Sequence, residues 1–546
     1  MKQMTYILGG ALLMTLALPA QAQKQVNDTT VNRTVVVEQE YNPDIMDATK
    51  VNVLPRVEEP AVSKKEVKYD ATLVPARNVP APVMQAFSGK EAREKANPGY
   101  ARLGYGINGN LDAVADYQFA TSENGRLHVG FGMDGADAKL DMGEGVEKWR
   151  SFYYRTRAVV DYRHLFRNLE LDLAGNFGLS NFNLMPFLSD SKQKFTSGSF
   201  HAGIRNKNSE LPLDYRIETN LLLYQRQHDP AADGLQETLI RTLGEVGGAI
   251  SDEQSVNIAF AMDNAFYQKG GFKNVTSIGL NPYYLIDGES WMLHLGAHVD
   301  MAFGFGKQFR AAPDIRAEYT FSDSYVLYAQ ATGGKLQNDF RRLESYTPYS
   351  QLGQQLDATY EQLNAALGFK ASPTDGLWFN LYGGYQNLRN DVFSLWYSTL
   401  TEEELLLAQQ HTSNVYAGAE IRYSYKDLFG ITASGVYRNW DTSGDSAYGK
   451  LEVLAFKPAF EAGLQADVNP IPSVRLSLGY NYVSRTKVDG VQADPVSNLY
   501  LHGSYELFKD ILLYARLNNL LNQDYQYYEG CPAQGFSLMG GVAFRF

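Results

Sequence analysis

The chain has a single cysteine in 546 residues, Cys531, so an intramolecular disulfide framework is excluded. After the first 18 residues it lacks any apolar run approaching the roughly 20 residues that a transmembrane helix needs. Positive charge is also short: 49 Lys and Arg against 61 Asp and Glu leave a net −12, which argues against nucleic acid as a partner. Catalytic signatures are missing as well, with no H-E-x-x-H, P-loop or G-x-S-x-G anywhere in the chain. The eight histidines are scattered without metal-ligand spacing, and no nucleophile is placed beside His228, His411 or His502. Neither an enzyme nor a bound metal or cofactor is expected. Two stretches, GYGING at 104–109 and GFGMDG at 130–135, match the dinucleotide fingerprint, but alternating strands follow them where a helix is required.

The first residues are an exception to the absence of apolar runs. MKQMTYILGGALLMTLALPAQAQ has Lys2, a short apolar stretch and small residues at Ala20 and Ala22. This is the pattern of a Sec signal peptide over residues 1–22, with the mature chain starting at Gln23 and no cysteine there to carry lipid. Residues 23–99 hold seven of the twenty prolines, only two glycines, and charge clusters such as RVEEPAVSKKEVKYD. Such a composition predicts an extended, largely unpacked periplasmic or lumenal segment.

From Tyr100 onward the composition changes to one rich in tyrosine, phenylalanine and glycine, and strand-length segments alternate with period two. In RAAPDIRAEYTF, Arg310, Asp314, Arg316 and Glu318 share one face, while Ile315, Tyr319 and Phe321 share the other. VYAGAEIRYS likewise sets Glu420 and Arg422 against Val415 and Ile421, and Arg155, Arg157 and Asp161 share the polar face of another segment. One strand cannot distinguish a half-exposed soluble sheet from a membrane barrel with a wet interior. The connections can. Short links (SDE at 251–253, DGE at 287–289, SPTDG at 372–376, YKD at 425–427) alternate with long ones (134–149, 180–194, 226–236, 337–355, 390–411, 486–495, 524–535). That alternation is the habit of outer-membrane barrels, whose two rims face different compartments. The expected fold is all-β: a large transmembrane antiparallel barrel of about 22 strands over residues 100–546.

On this reading the polar-face charges Arg155, Arg157, Asp161, Arg310, Asp314, Arg316, Glu318, Glu420 and Arg422 point into the lumen, bracing it or lining a solute path. Two outer loops stand out. One combines Arg341 and Arg342 with Tyr346 and Tyr349, residue types that favour recognition of a ligand or partner. The other, YSTLTEEELLLAQQH at 397–411, has a helical pattern with an acidic first turn. The chain ends on GFSLMGGVAFRF, whose terminal Phe544 and Phe546 are the expected insertion signal on a strand that must pair with the first to leave no edge in lipid.

The segment LLYARLNNLLNQDYQYY followed by GFSLMGGVAFRF resembles the end of TonB-dependent receptors of the Bacteroidetes type, through Asn519, Leu520, Leu521, Asn522, Tyr525 and the terminal Phe546. In that family the penultimate strand carries the N-L-L motif. The resemblance implies binding or transport of a solute across the outer membrane. It also implies contact with outer-membrane lipid and the barrel assembly machinery, and a surface lipoprotein or periplasmic partner such as TonB, to which RTVVVEQEY at 33–41 would offer a short strand. The family's plug domain is not recognisable here: residues 23–99 are too few and too poor in glycine. The expected arrangement instead threads VPAPVMQAF, residues 79–87, into the lumen. The alternative expectation is a scaffold barrel in a surface assembly with no transport of its own.

Overall fold

A computed structural model of the chain describes residues 97–142, 148–185, 192–207, 213–229, 233–322, 324–398, 403–442 and 448–546. The signal peptide, RTVVVEQEY and the threaded stretch VPAPVMQAF lie outside the described residues.

Twenty-two strands form one antiparallel sheet. Each pairs with its neighbours in sequence, and the ring closes because Gly99–Gly106 pairs both with Leu111–Ala120 and with Ser537–Arg545. At the seam Gly104 lies opposite Gly541 and Tyr100 opposite Arg545. Every strand of the sheet is therefore paired on both sides, the condition for backbone to cross hydrocarbon. The faces are inverted relative to a soluble sheet. Leu103, Leu367, Val415, Leu464 and Leu478 are large, apolar and 47–61 % exposed on the outside. Asp314, Asn364, Asn380 and Gln386 are at most 2 % exposed on the inside. A belt of exposed aliphatics around a polar interior is a transmembrane barrel.

The closing strand explains its own composition. Tyr514, on the neighbouring strand Ile511–Asn518, lies across it: a Cβ added at Gly541 would come within 2.5 Å of the Tyr514 ring, and one at Gly104 within 2.1 Å of its hydroxyl. Small residues there let one tyrosine span the seam. Beneath it Asp112 holds Arg102 at 2.7 Å and Arg516 at 3.1 Å, so the junction carries a charge triad that no pattern in the sequence marked.

One rim has tight turns, as at 166–168, 288–290 and 426–428. The other has the long loops 337–358, 486–495 and 519–536, together with shorter turns at 107–110, 269–274 and 304–308. The segment 397–411 departs from expectation. Among its described residues there is no helix: Leu377–Ser398 and Glu403–Tyr425 are paired strands, so strand occupies the described part of the long loop expected at 390–411. The physical reason is that both faces of this run are covered, which a one-faced helix could not satisfy. Leu405 is buried with Trp149, Met185 and Cys531, while Ala408, on the opposite face, is buried with Phe393, Trp440 and Val453. Tertiary burial on two sides overrides a helical pattern.

Candidate functional site

The loop 337–358 begins with a capped helix, Phe340–Tyr346, in which the Asp339 carboxylate accepts from the Arg342 amide at 2.9 Å. The helix turns Phe340 and Leu343 into a buried cluster with Phe182, Phe195, Leu235 and Val392. A first-turn backbone donor with no partner inside the helix is met by the wall, the Phe340 amide donating to Glu237 Oε2 at 2.8 Å. Tyr224 Oη donates to Glu344 Oε2 at 2.6 Å, Arg226 donates to the Ser350 carbonyl, and the Leu352 amide donates to Asp229 Oδ2 at 3.0 Å. Burial pushes the Glu344 carboxyl above its ordinary range. At its far end Tyr349 meets Trp149 and Phe182, with ring centroids 5.5 and 5.6 Å apart. Those residues sit on the fourth and fifth strands, whereas the loop springs from the thirteenth and fourteenth. The loop crosses the mouth of the barrel.

The four residues expected to recognise something outside are thus placed inward. Arg341 donates to the Gly198 carbonyl at 3.1 Å, Arg342 lies over the Tyr346 ring and donates to its hydroxyl at 3.0 Å, and Tyr349 is the far anchor of the crossing. Composition could not distinguish a solvated loop from one folded into a polar lumen, because both require polar and aromatic residues.

The last long loop, 519–536, meets the first. Its base is Asn519, 1 % exposed, in a left-handed conformation (φ 48°) that asparagine tolerates well. The Asn519 side chain accepts from the Gln523 amide at 2.9 Å and donates to the carbonyls of Gln523 and Gln534, tying both ends of the loop together. Asn522 Oδ1 accepts from the Phe536 amide at 2.8 Å. The motif expected on the penultimate strand therefore sits just beyond it, since that strand ends at Asn518. Tyr528 reaches Tyr349 at 6.1 Å between centroids. Cys531 is buried, its Sγ 3.2 Å from Met185 Sδ, and burial pushes its thiol well above the usual range.

Below these two loops lies a cavity of about 720 Å³, within the size range of small-ligand sites. Glu344 and Tyr349 of the crossing loop and Tyr525, Tyr527, Tyr528 and Gln534 of the last loop line it on that side. Its walls carry Asp134, Arg155, Glu461, Asn481, Asn498 and Tyr500. The charges are engaged with one another: Arg155 with Asp134 at 2.5 Å, Arg516 and Arg102 both with Asp112, and Arg438 with Glu461. A second cavity of about 870 Å³, on the other side of the lumen, is lined by Arg216, Glu218, Arg241, Asp263, Asp300 and Lys335. Here Asp263 bridges Arg241 at 2.6 Å and Lys335 at 2.8 Å.

The charges expected to face the lumen fall as follows. Arg155 lines the first cavity, and Arg157 lies 3.7 Å from the same Asp134. Asp161 and Asp116 clasp His128 at 3.0 and 3.1 Å. Asp314 gathers His294 at 2.8 Å and Arg316 at 3.1 Å. Arg310 reaches Asp357 of the crossing loop at 2.5 Å, and Glu318 lies 3.7 Å from Lys370. Glu420 lies opposite Asn380 in the ladder, and Arg422 stacks over Trp378. They lie on three strands, the fourth, twelfth and sixteenth, and of the nine only Arg155 lines the first cavity. Among the described residues no cluster of three His, Cys, Asp or Glu could hold a metal ion. The two glycine fingerprints fall in strands and a hairpin turn.

No protein-family model matches the chain, and no curated protein matches it in sequence. Solved structures do match in fold. The copper transporter OprC superposes with a TM-score of 0.59 at 15 % identity, over 82 % of this chain and 80 % of that one. The ferric enterobactin receptor PfeA from Pseudomonas aeruginosa gives 0.62 at 12 % identity, over 82 % and 80 %. The FrpB iron transporter from Neisseria meningitidis gives 0.65 at 10 % identity, over 83 % and 82 %. These neighbours are TonB-dependent receptors, and the barrel described here has their fold.

Proposed function

We propose that this chain is an outer-membrane transport barrel, similar to TonB-dependent receptors, that binds a solute in the capped cavity and passes it across the membrane. The observation that carries this reading is a lumenal cavity of about 720 Å³ covered on the long-loop side by two loops that meet through aromatic rings. Such an arrangement offers a solute a place to bind and a cover whose movement would admit it. The fold of the neighbours supports the same reading. Residues 1–22 would then direct export, and 23–99 would serve the periplasmic or lumenal side, where RTVVVEQEY could engage TonB. Phe544 and Phe546 would mark the chain for the assembly machinery. Planar-bilayer recording tests the proposal, using the full chain and a variant in which residues 339–356 are replaced by a short Gly-Ser linker. The variant should conduct where the full chain is closed or nearly so. Silence from both, and from a form that also lacks residues 23–96, would overturn transport.

That outcome would instead support a scaffold barrel docking a surface lipoprotein or periplasmic partner. One observation favours this second reading: the mouth is filled by side chains packed like a core, with Phe340, Leu343, Leu352, Val392 and Leu407 at most 3 % exposed.

A further inference from the structure

On the outside of the wall, positive charge gathers at one place along the long-loop rim. Lys139 and Arg150 are cross-strand partners on the third and fourth strands. Lys192 and Lys194, on the sixth, lie opposite Asn183 and Asn181 of the fifth. All four are exposed, while Ala138, Leu140, Trp149, Ser151, Gln193 and Phe195, which alternate with them along the strands, are at most 9 % exposed on the inner face. Asn183 ties the strands together at this height: its side chain donates to the Arg150 carbonyl at 2.6 Å and accepts from the Phe152 amide at 2.9 Å. The row is therefore a fixed platform, roughly 14 Å wide at about 4.8 Å per strand.

Most of its charge is uncompensated. Arg150 pairs with Asp137 at 2.6 Å, but Lys139, Lys192 and Lys194 have no carboxylate partner among the described residues. Lys192 lies instead over the Phe152 ring, 5.7 Å from its centroid. Gln225 and Gln227, next along the sheet, are neutral, so the patch is confined to these strands.

Depth decides what the patch faces. Lys139 lies twelve residues beyond Leu127, and Lys194 ten before Ile204, where Leu127 and Ile204 belong to the apolar outer face near the tight-turn rim. A tilted strand crosses hydrocarbon in about 9–11 residues, so the lysines emerge among the headgroups of the outer leaflet. Below them, on the same four strands, Val129, Phe131, Val160, Phe177 and Phe200 are 39–52 % exposed. Free ammonium groups directly above an apolar wall match an amphiphile with an anionic head. Phosphate is the head that forms strong charge-assisted hydrogen bonds with them.

We propose that this outward patch binds a phosphorylated lipid of the outer leaflet, with its phosphates on Lys139, Lys192 and Lys194 and its acyl chains against Phe131, Phe177 and Phe200. The site is on the opposite side of the wall from both cavities, so it stands whether or not a solute crosses the lumen.

The test is equilibrium binding of radiolabelled probes to the detergent-solubilised full chain. The probes are lipid A carrying two phosphates, the same lipid dephosphorylated, dioleoylphosphatidylcholine and inorganic phosphate. The phosphorylated lipid should bind, and the other three at least tenfold more weakly. Lys139→Gln, Lys192→Gln and Lys194→Gln combined should lower its affinity tenfold or more. A charge-matched control, Arg167→Gln, Lys207→Gln and Lys509→Gln combined, removes three exposed cations from the tight-turn rim and should change it less than twofold. Unboiled electrophoretic migration verifies that both variants are folded. Should the first not fold, the parent chain decides: raising sodium chloride from about 0.05 to about 0.5 M should weaken binding of the phosphorylated lipid and leave the dephosphorylated one unchanged. No binding of the phosphorylated lipid, binding indifferent to dephosphorylation or to salt, equal loss in both triple variants, or free phosphate binding as tightly as the lipid would each overturn the proposal.

Discussion

Tyr349 is the side chain whose loss should open the mouth of the barrel. Its ring contacts Trp149, Phe182 and Tyr528, at centroid distances of 5.5, 5.6 and 6.1 Å. Each such pair contributes about 0.5–1.5 kcal/mol beyond simple burial, so three contribute about 1.5–4.5 kcal/mol. That energy holds the far end of a loop whose near end is covalently fixed, so Tyr349→Ala should shift a local opening equilibrium and leave the strands paired. At about 1.4 kcal/mol per factor of ten, the open population rises roughly 10- to 1,000-fold. The chain supplies its own reporter. Cys531 is the single cysteine, is 4 % exposed, and packs in the cluster that Tyr349 covers. Burial also keeps it a protonated, unreactive thiol. Maleimide labelling of the folded barrel should therefore be slow in the parent chain, faster by the stated factor in Tyr349→Ala, and within tenfold of the parent in Tyr349→Phe, which keeps the ring. Unboiled electrophoretic migration verifies that the barrel stays closed. An unchanged labelling rate in a barrel that still migrates as folded would refute the claim that Tyr349 holds the cover, and rapid labelling of the parent would refute the claim that the cover is shut.

Gly541→Val should impair closure, because its Cβ alone would approach the Leu103 carbonyl to 2.4 Å and the Tyr514 ring to 2.5 Å; overpacking of this kind costs about 1–3 kcal/mol and should show as a smaller heat-modifiable fraction. Leu367→Arg places a charge on the lipid face and should cost about 2–4 kcal/mol if it lies near the midplane, whereas Gln330→Arg, on the lumenal face of the neighbouring strand, should cost far less. Urea unfolding in lipid vesicles measures both, and equal losses would refute the assignment of faces. Asn519→Ala removes three hydrogen bonds and leaves alanine in a left-handed conformation, a loss of about 1–3 kcal/mol confined to one loop. Amide exchange should accelerate over 523–536 and remain unchanged in the strands.

The barrel was legible because period-two alternation and turn length are local properties. Ile315 and Asp314 point to opposite faces whatever lies beyond them, and SDE at 251–253 can only be a tight turn. What lay beyond local pattern was where the long loops go. Tyr349 looks the same in sequence whether it faces water or Trp149, and only a partner about 200 positions away decides. The run Leu405–Leu407 resembles a helix in sequence for a related reason. A segment covered on both faces loses the alternation that marks a strand, and leucine spacing then resembles a helix. Asn519 and Asn522 stand out in the sequence as a motif, but their work, closing a loop by side chain to backbone, shows only when the loop's other end is known. The amide-rich cavity wall was hidden because its members, Asn481, Asn498 and Gln465 among them, come from separate strands, one residue at a time.

The loop that spans the mouth has a mechanical consequence. A ring of strands is a thin shell, stiff along its hydrogen-bonded ladder but easily flattened into an ellipse. A member fixed covalently between the thirteenth and fourteenth strands and packed on the fourth and fifth through Tyr349 acts as a tie-rod across that ring. Flattening along this diameter compresses the rod, and flattening at right angles stretches it, so the rod resists both. Lateral pressure from the bilayer thus reaches the cover through the wall, and release of the far anchor relaxes the cross-section of the whole shell. The cover and the girth of the barrel are one coupled coordinate.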